Sequence, residues 1–509
     1  MKNSARNLVF GILKYVITLL FPFLVRSLLI TKFGMEYIGL GSLFTSILGI
    51  LNLSELGFSS AIIYALYKPI ANNDTDKING YMGLFKRIYM VIGISMLTIG
   101  MIFCPIIQFL IHGAIPSDIN IYLLFIIQLL NSSFSYLFSG YKSALLIANQ
   151  RADIYTKIQI IAQMMVYCLE ITSIIVFENY YIYASSILIG NILTNILLSQ
   201  YTKVSFPYFH GHKNLLPDEK KELYGNVKSL FGHQLDAVVI NSADSIVISS
   251  FLGLKLLGIY NNYYMIFNAI LNLLIVIANS FVATIGNSVV RNGQDKNYED
   301  FGLFSYVLGL IDIICAVLMV CLYQPFIRLW TGGENTLPFI TMCLLVISFY
   351  VRQIRRPVIT YKAACGLWKQ DRYKPYIAAC INLIANLILV QFIGLNGVII
   401  STIISMVLIE FPWETTVLFH SYFKQSKKNF YIDQAVKILE LIIIGCVVYF
   451  VGIKIPDGTY VFFFVKAVSL ALLTIMLIVF VNIRDKRFRN VAAYAIRLLQ
   501  LNHKTNLGG

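Results

Sequence analysis

Charge is what this chain has least of. Asp, Glu, Lys and Arg make up 13% of its 509 residues, about half the share found in soluble domains. That excludes a water-solvated globule and a charge-rich disordered chain. The 12 prolines and 32 glycines follow no G-X-Y period, so a collagen-like class falls away too. The eight cysteines all fall inside apolar stretches without a C-x-x-C pair; they read as small core residues, not as disulfides or metal ligands. Histidine is rarer still at six, and the H-x-H of His210 and His212 has no further Cys or His nearby to complete a metal site. No G-x-x-x-x-G-K-[ST] phosphate loop and no Ser/His/Asp constellation is visible, so neither an enzyme nor a resident cofactor is indicated.

What the chain has is hydrocarbon. Hydrophobic residues reach 58%, the mean hydropathy is +0.73, and the apolar residues arrive in blocks such as ILNLLIVIANSFVATIG. A run of about 20 such residues crosses about 30 Å of bilayer at 1.5 Å per residue. The sequence therefore predicts an all-α, polytopic membrane protein of about 14 transmembrane helices. They lie near 8–30, 37–67, 82–111, 119–148, 155–177, 181–202, 232–252, 258–289, 302–324, 338–364, 376–392, 396–418, 436–452 and 459–481. The first segment holds Lys14 and Arg26 and lacks a small-residue cleavage site, so it is expected to be retained.

The excess of 40 Lys and Arg over 25 Asp and Glu is a topology signal in such a protein, not a sign of nucleic-acid binding. With both termini inside, 29 of the 40 basic residues fall in cytoplasmic segments and only 6 on the other side: Arg26, Lys32, Lys255, Arg328, Lys454 and Lys466. That asymmetry places both termini in the cytoplasm.

An internal repeat follows from three matches at one offset. Gly34 and Gly39 correspond to Gly253 and Gly258, Pro105 to Pro325, and Tyr141-Lys142 to Tyr361-Lys362, all displaced by 219 or 220 residues. The repeat implies two parallel, pseudo-symmetric six-helix lobes, 1–203 and 232–420, joined by a cytoplasmic linker at 204–231. Residues 421–509 add two helices and a basic tail. Two such lobes meeting at a seam can open to either side in turn, which is a transport architecture.

Charges inside the membrane need a cavity, a partner or an interface. Arg26 and Lys14 in the first helix read as a cationic wall or as side chains reaching for head groups. Arg352, Arg355 and Arg356 share one helical face at i, i+3, i+4. Ending their helix earlier would leave too few residues to span, so they are placed in the inner half of the membrane. Three like charges find natural relief in an anion, and guanidinium suits phosphate oxygens; the alternative is a helix end dipping into head groups. For Lys142 and Lys362, head-group contact is the favoured reading. Asp236 and Asp244, with Asn241, Ser242 and Ser245 beside the latter, form an oxygen-rich stretch suited to H⁺ or Na⁺ coupling or to neutralising an arginine. Asn261, Asn268, Asn272 and Asn279 line one helical stripe. Their carboxamides suit sugar hydroxyls, although helix–helix hydrogen bonding is the favoured reading.

Two stretches, FLVRSLLITKFGMEYIGLGSLF and NLSELGFSSAIIYALYKPIA, resemble the start of the polysaccharide transporter family, which includes the Wzx-type flippases. NSADSIVISSFLGLKLLGIY and PFIRLWTGGENTLP are the matching pieces of the second lobe, and the likeness runs along nearly the whole chain. The wider superfamily of multidrug, oligosaccharidyl-lipid and polysaccharide exporters holds lipid II flippases and multidrug antiporters. As in the lipid II flippases, an arginine, Arg26, stands eight residues before the glycine Gly34, and the resemblance implies that it faces the pyrophosphate of a lipid-linked substrate. The arginine cluster at 352–356 is read from its own spacing and not from that resemblance. The resemblance further implies a flippase in a bacterial cytoplasmic membrane that moves undecaprenyl-pyrophosphate-linked oligosaccharide to the outer leaflet. Membrane lipids, and a polymerase and glycosyltransferases of the same pathway, would be its partners. The rival readings are a cation-coupled small-molecule or drug antiporter and a membrane-embedded glycosyltransferase or polymerase. Cations in the first and tenth helices argue against the former, and short outward loops against the latter.

Overall fold

A chain in hydrocarbon must satisfy its backbone within each segment, which leaves helices as the solution for apolar runs of this length. The computed structural model describes residues 2–55, 57–210, 215, 217–491 and 493, and within them all side chains but those of 2–5, 7–9, 12, 54, 222, 226, 228–241 and 369. Among the described residues every regular element is helical. The first part of the chain forms α1 (Lys2–Lys32), α2 (Met35–Leu51), α3 (Phe58–Ala71), α4 (Thr75–Phe103), α5 (Ile121–Leu137), α6 (Ser143–Ala148), α7 (Ala152–Ile175), α8 (Tyr180–Ser205), α9 (Pro217–Leu252) and α10 (Leu254–Ser280). Then come α11 (Val282–Arg291), α12 (Gln294–Thr331), α13 (Phe339–Ile354), α14 (Arg356–Ala364), α15 (Lys374–Ile393), α16 (Leu395–Ser405), α17 (Phe411–Leu418), α18 (Lys428–Ile453) and α19 (Tyr460–Asn482). Polar caps start several of them: the Asn120 side chain accepts from the amides of Tyr122 and Leu123, and Asn179 from those of Tyr181 and Ile182.

Helix covers each of the fourteen predicted segments. Among the described residues ten spans are long and apolar enough to cross a membrane, or eleven if α5 and α6, bent by 49°, count as one. The differences are breaks inside segments that read as continuous. The second is interrupted by a 3₁₀ turn at Asn52–Glu55 and by Gly57 at φ 90°. The tenth divides at Arg355, and the twelfth carries a π-helical turn at Met406–Glu410, with a second just past its end at Phe419–Phe423. The cysteines also differ from expectation: all eight are free, but Cys168, Cys380 and Cys446 are exposed and so are not core residues.

The chain forms two compact units, Met1–Asn262 with Pro375–Ser401, and Tyr263–Lys374 with Thr402–Gly509. In the first, the repeat-matched glycines do matching work. Gly34 and Gly253 hold positive φ (101° and 90°), turning the chain just before α2 and α10. Gly39 and Gly258 then let those helices touch backbone to backbone. A Cβ on Gly39 would lie 2.0 Å from the Leu254 carbonyl oxygen, and one on Gly258 would lie 2.2 Å from that of Met35. Met35 and Leu254 are themselves a matched pair, so the contact is its own mirror across the repeat.

In the second unit α12 packs against α13, α18 and α19. The last helix is patterned inside-out. Lys466, Leu470, Thr474, Ile478 and Asn482, four residues apart, are buried, while Leu472, Met476 and Phe480 between them are exposed. Its polar residues are tied down within the layer. The Asn482 side chain bonds Tyr306 (2.5 Å), Lys437 (3.1 Å) and Glu440, and Lys437 reaches Glu440 at 2.7 Å. Beyond α19, Arg487 pairs with Asp485 at 3.1 Å and Asp433 at 3.0 Å.

Gly39→Ala and Gly258→Ala are each expected to destabilise the purified protein by about 1–3 kcal/mol, the usual cost of overpacking. Thermal unfolding in detergent measures this, with Gly11→Ala, where a Cβ meets nothing within 4 Å, as the silent control.

Candidate functional site

Each unit holds its own set of buried charges. In the first, Arg26 on α1 donates from Nε to Oδ1 of Asn262 (2.6 Å). Asn262 is fully buried, and its Nδ2 donates to the Met35 sulfur at 3.3 Å. The orientation of Arg26 is thereby set by a carboxamide, which leaves its charge uncompensated. Its Nη2 is shielded from solvent and has no acceptor. The phenols of Tyr180 and Tyr183 on α8 are close enough to interact with it electrostatically, and Tyr180 is fixed by donating to the Tyr37 carbonyl at 2.9 Å. Lys14 lies further along α1 and donates to Oε1 of Gln159 on α7 at 2.7 Å.

Asp244 on α9 is buried and accepts from Nδ2 of Asn386 at 2.6 Å. Asn386 on α15 is itself fully buried, and its Oδ1 has no donor. Ser242 and Ser245 are buried beside Asp244, as the oxygen-rich stretch implied. The side chains of Asp236 and Asn241 lie outside the described residues. His212 lies outside them too.

In the second unit the three arginines separate. Arg355 stands at the break between α13 and α14 and grips two carboxylates. It donates from Nε to Glu414 Oε2 (3.0 Å), and from Nη2 to Glu414 Oε1 (2.9 Å) and to Glu410. Lys374 completes the group at 2.7 Å from Glu414. Two cations and two anions, all buried, sum to zero, so Arg355 finds its counter-charge inside the chain. Neither neighbour forms an ion pair at contact distance among the described residues. The Nε atoms of Arg352 and Arg356 are buried without acceptors; on the same turns the Tyr350 hydroxyl has no partner and Gln353 Oε1 no donor. Arg352 lies 5.8 Å from the centre of the Phe267 ring, and Arg356 is within electrostatic range of the buried Asp312 on α12.

Three further placements differ from the sequence reading. Lys362 does not reach for head groups: it is 2% exposed and paired with the buried Asp371. Lys142 is likewise turned inward, donating to Ser199 at 2.8 Å. The asparagine stripe is not spent on helix–helix hydrogen bonds. Asn261 only back-bonds to its own helix at Leu257 (3.0 Å), while Asn272 and Asn279 are exposed, Asn268 is half-buried, and no hydrogen bond is described for these three.

Four partners escaped the sequence reading: Asn262, Asn386, Lys374 and Asp371. Asn382 and Asn386, four apart in an otherwise apolar helix, were a usable signal for a polar face on α15. Nothing in the sequence singled out Asn262 over Asn261.

No family model matches the sequence, and no curated protein matches it. Solved structures do. The chain resembles a lipid II flippase MurJ in an inward closed conformation, with a TM-score of 0.68 and 16% identity, over 94% of this chain and 98% of that one. It resembles an inward-facing multidrug resistance MATE family transporter of the MOP superfamily at TM-score 0.64 and 14% identity, over 78% of this chain and 93% of that one. An outward-facing transporter of that family matches at TM-score 0.53 and 14% identity, over 81% and 94%. The protein thus has the all-α, multi-pass membrane fold that these transporters and the lipid flippase share.

Proposed function

We propose that this protein is a flippase that moves an undecaprenyl-pyrophosphate-linked oligosaccharide from the inner to the outer leaflet by alternating access. The observation that carries the reading is the set of buried guanidinium N–H groups without acceptors, Nη2 of Arg26 and Nε of Arg352 and Arg356. A donor left unsatisfied in a dry site is costly, and phosphoryl oxygens are the acceptors guanidinium fits best. A sugar–pyrophosphate head cannot cross hydrocarbon unaided. The unbonded carboxamides of Asn268, Asn272 and Asn279 supply donors and acceptors of the kind sugar hydroxyls need. Lys14 adds positive charge on the same helix as Arg26. The fold fits, since its relatives in shape include a lipid II flippase and transporters caught facing in and facing out.

Coupling to H⁺ or Na⁺ is assigned to Asp244 together with the Asn386 carboxamide, with Asp236 and Asn241 as further members on the same helix. The 29-to-6 split of basic residues supports cytoplasmic termini in a bacterial inner membrane. There a polymerase and glycosyltransferases of the pathway would work beside it, and no nucleic acid is involved.

Transfer of a polyprenyl-pyrophosphate-linked oligosaccharide across proteoliposomes tests the proposal. Arg26→Ala and the double change Arg352→Ala/Arg356→Ala are each expected to cut transfer by roughly ten-fold or more, matching the loss of a charged hydrogen bond of about 1.5–3 kcal/mol. Arg26→Lys should retain part of the activity. Wild-type rates in the alanine variants would refute the anion role, and export of organic cations instead would favour the antiporter. Arg355→Ala should fail differently: stranding two buried carboxylates beside one lysine is expected to cost about 3–5 kcal/mol of stability, seen as a lowered unfolding temperature. Asp244→Asn should abolish the response of transfer to an imposed H⁺ or Na⁺ gradient while the protein remains inserted.

A further inference from the structure

The two ends of the layer formed by α12, α18 and α19 differ in charge. Where α12 and α18 finish and α19 begins, a cavity of about 490 Å³ opens, lined by Arg328, Lys466, Asp457, Phe339, Tyr449 and Ile453 among others. Lys466 is 4% exposed and has one carboxylate, Asp457, at 2.7 Å. Arg328 is exposed, with no carboxylate partner among the described residues. The three charges leave the cavity at +1.

Two independent observations single this cavity out. The first is scarcity. Of 40 basic residues only 6 are assigned to the face opposite the termini, yet Arg328 and Lys466 converge here and Lys454 directly follows the lining residue Ile453. Topogenesis disfavours Lys and Arg on that face, so a pair retained in one pocket points to a use. The second is location. Lys466 belongs to α19, whose span has the highest mean hydropathy of the ten, 2.6. An ionised group buried in such a helix marks a site by default.

The wall chemistry then narrows the ligand. Guanidinium and ammonium favour phosphoryl oxygens. The Phe339 and Tyr449 rings, with centroids 5.5 Å apart, give the aromatic edge typical of the membrane–water boundary. Ile453 lines the cavity and is 60% exposed, and Phe450 before it is 67% exposed, so the mouth continues into an apolar flank. A soluble anion would have no use for that flank. A phosphate carrying hydrocarbon would use both halves.

We propose that this cavity binds the phosphate group of a lipid at the membrane face opposite the termini. The site does not depend on the arginines of the transport reading. It rests on that reading only for the natural ligand, a polyprenyl-linked phosphate lipid, the broad class to which the pyrophosphate-linked lipid of that reading belongs.

Native mass spectrometry of the full-length protein in detergent tests it, with polyprenyl phosphate, phosphatidylglycerol and uncharged diacylglycerol as probes and inorganic phosphate as competitor. One retained adduct with the phosphate lipids and none with diacylglycerol is expected. Arg328→Glu should weaken that adduct at least ten-fold. Arg328→Gln serves if the reversed charge prevents folding, and the paired change Lys466→Met/Asp457→Asn should weaken the adduct without stranding a partner. Arg26→Ala should keep it, so a failure of the transport reading leaves this result standing. Equal retention of diacylglycerol, an adduct indifferent to Arg328, or displacement by inorganic phosphate alone would overturn the proposal. Tighter retention of phosphatidylglycerol than of polyprenyl phosphate would overturn the assignment of the natural ligand.

Discussion

Hydrocarbon offers no hydrogen-bond acceptor, and that single condition organises this protein. Backbone groups are satisfied within helices, and ionised side chains must find their partners in the chain or in a ligand. The arginines show both outcomes. Arg355 closes on Glu410 and Glu414 with Lys374 beside them, a neutral and buried set. Arg26 is held by a carboxamide that orients it without cancelling its charge. A structural role calls for the first arrangement. The second leaves a buried guanidinium N–H without an acceptor, which costs stability and which the transport reading fills with an anion.

The neutral cluster also sits where the helical backbone is least regular. Arg355 occupies the break between α13 and α14, and Glu410 ends the π-helical turn Met406–Glu410, with Pro412 following within α17. A π turn shifts the phase of every side chain beyond it. Here that phase puts Glu410 and Glu414 together on one guanidinium.

This explains what was legible beforehand. Helix positions followed from apolar length, since the bilayer fixes the span. Gly39 and Gly258 stood out because a repeat at one offset exposes residues that must stay small, and the structure shows why: each helix backbone fills the other's missing Cβ. Charged partners were less legible. Periodicity tells which face a residue occupies, not which distant residue meets it, so the pairing of Lys362 with Asp371 and of Asp244 with Asn386 was hidden. The choice of Asn262 over Asn261 turns on a single 100° step along α10, finer than helix phase can be set from sequence when the boundary is uncertain by a few residues.

The added helices follow the same rule in reverse. α19 exposes its largest apolar side chains and buries Lys466, Thr474 and Asn482. In lipid there is no hydrophobic force to press it against α12. Its attachment must therefore come from close packing, as at Gly452 against Leu470, and from polar pairs such as Asn482 with Tyr306 and Glu440. Asn482 and Lys466 stand four turns apart on one stripe, but their surroundings differ. Asn482 is enclosed by Tyr306, Lys437 and Glu440, which satisfy one another. Lys466 has one acid and borders open space beside an unpaired arginine. Of the two polar ends, the first has the composition of a clasp, and the second retains the unbalanced charge from which a ligand site is made.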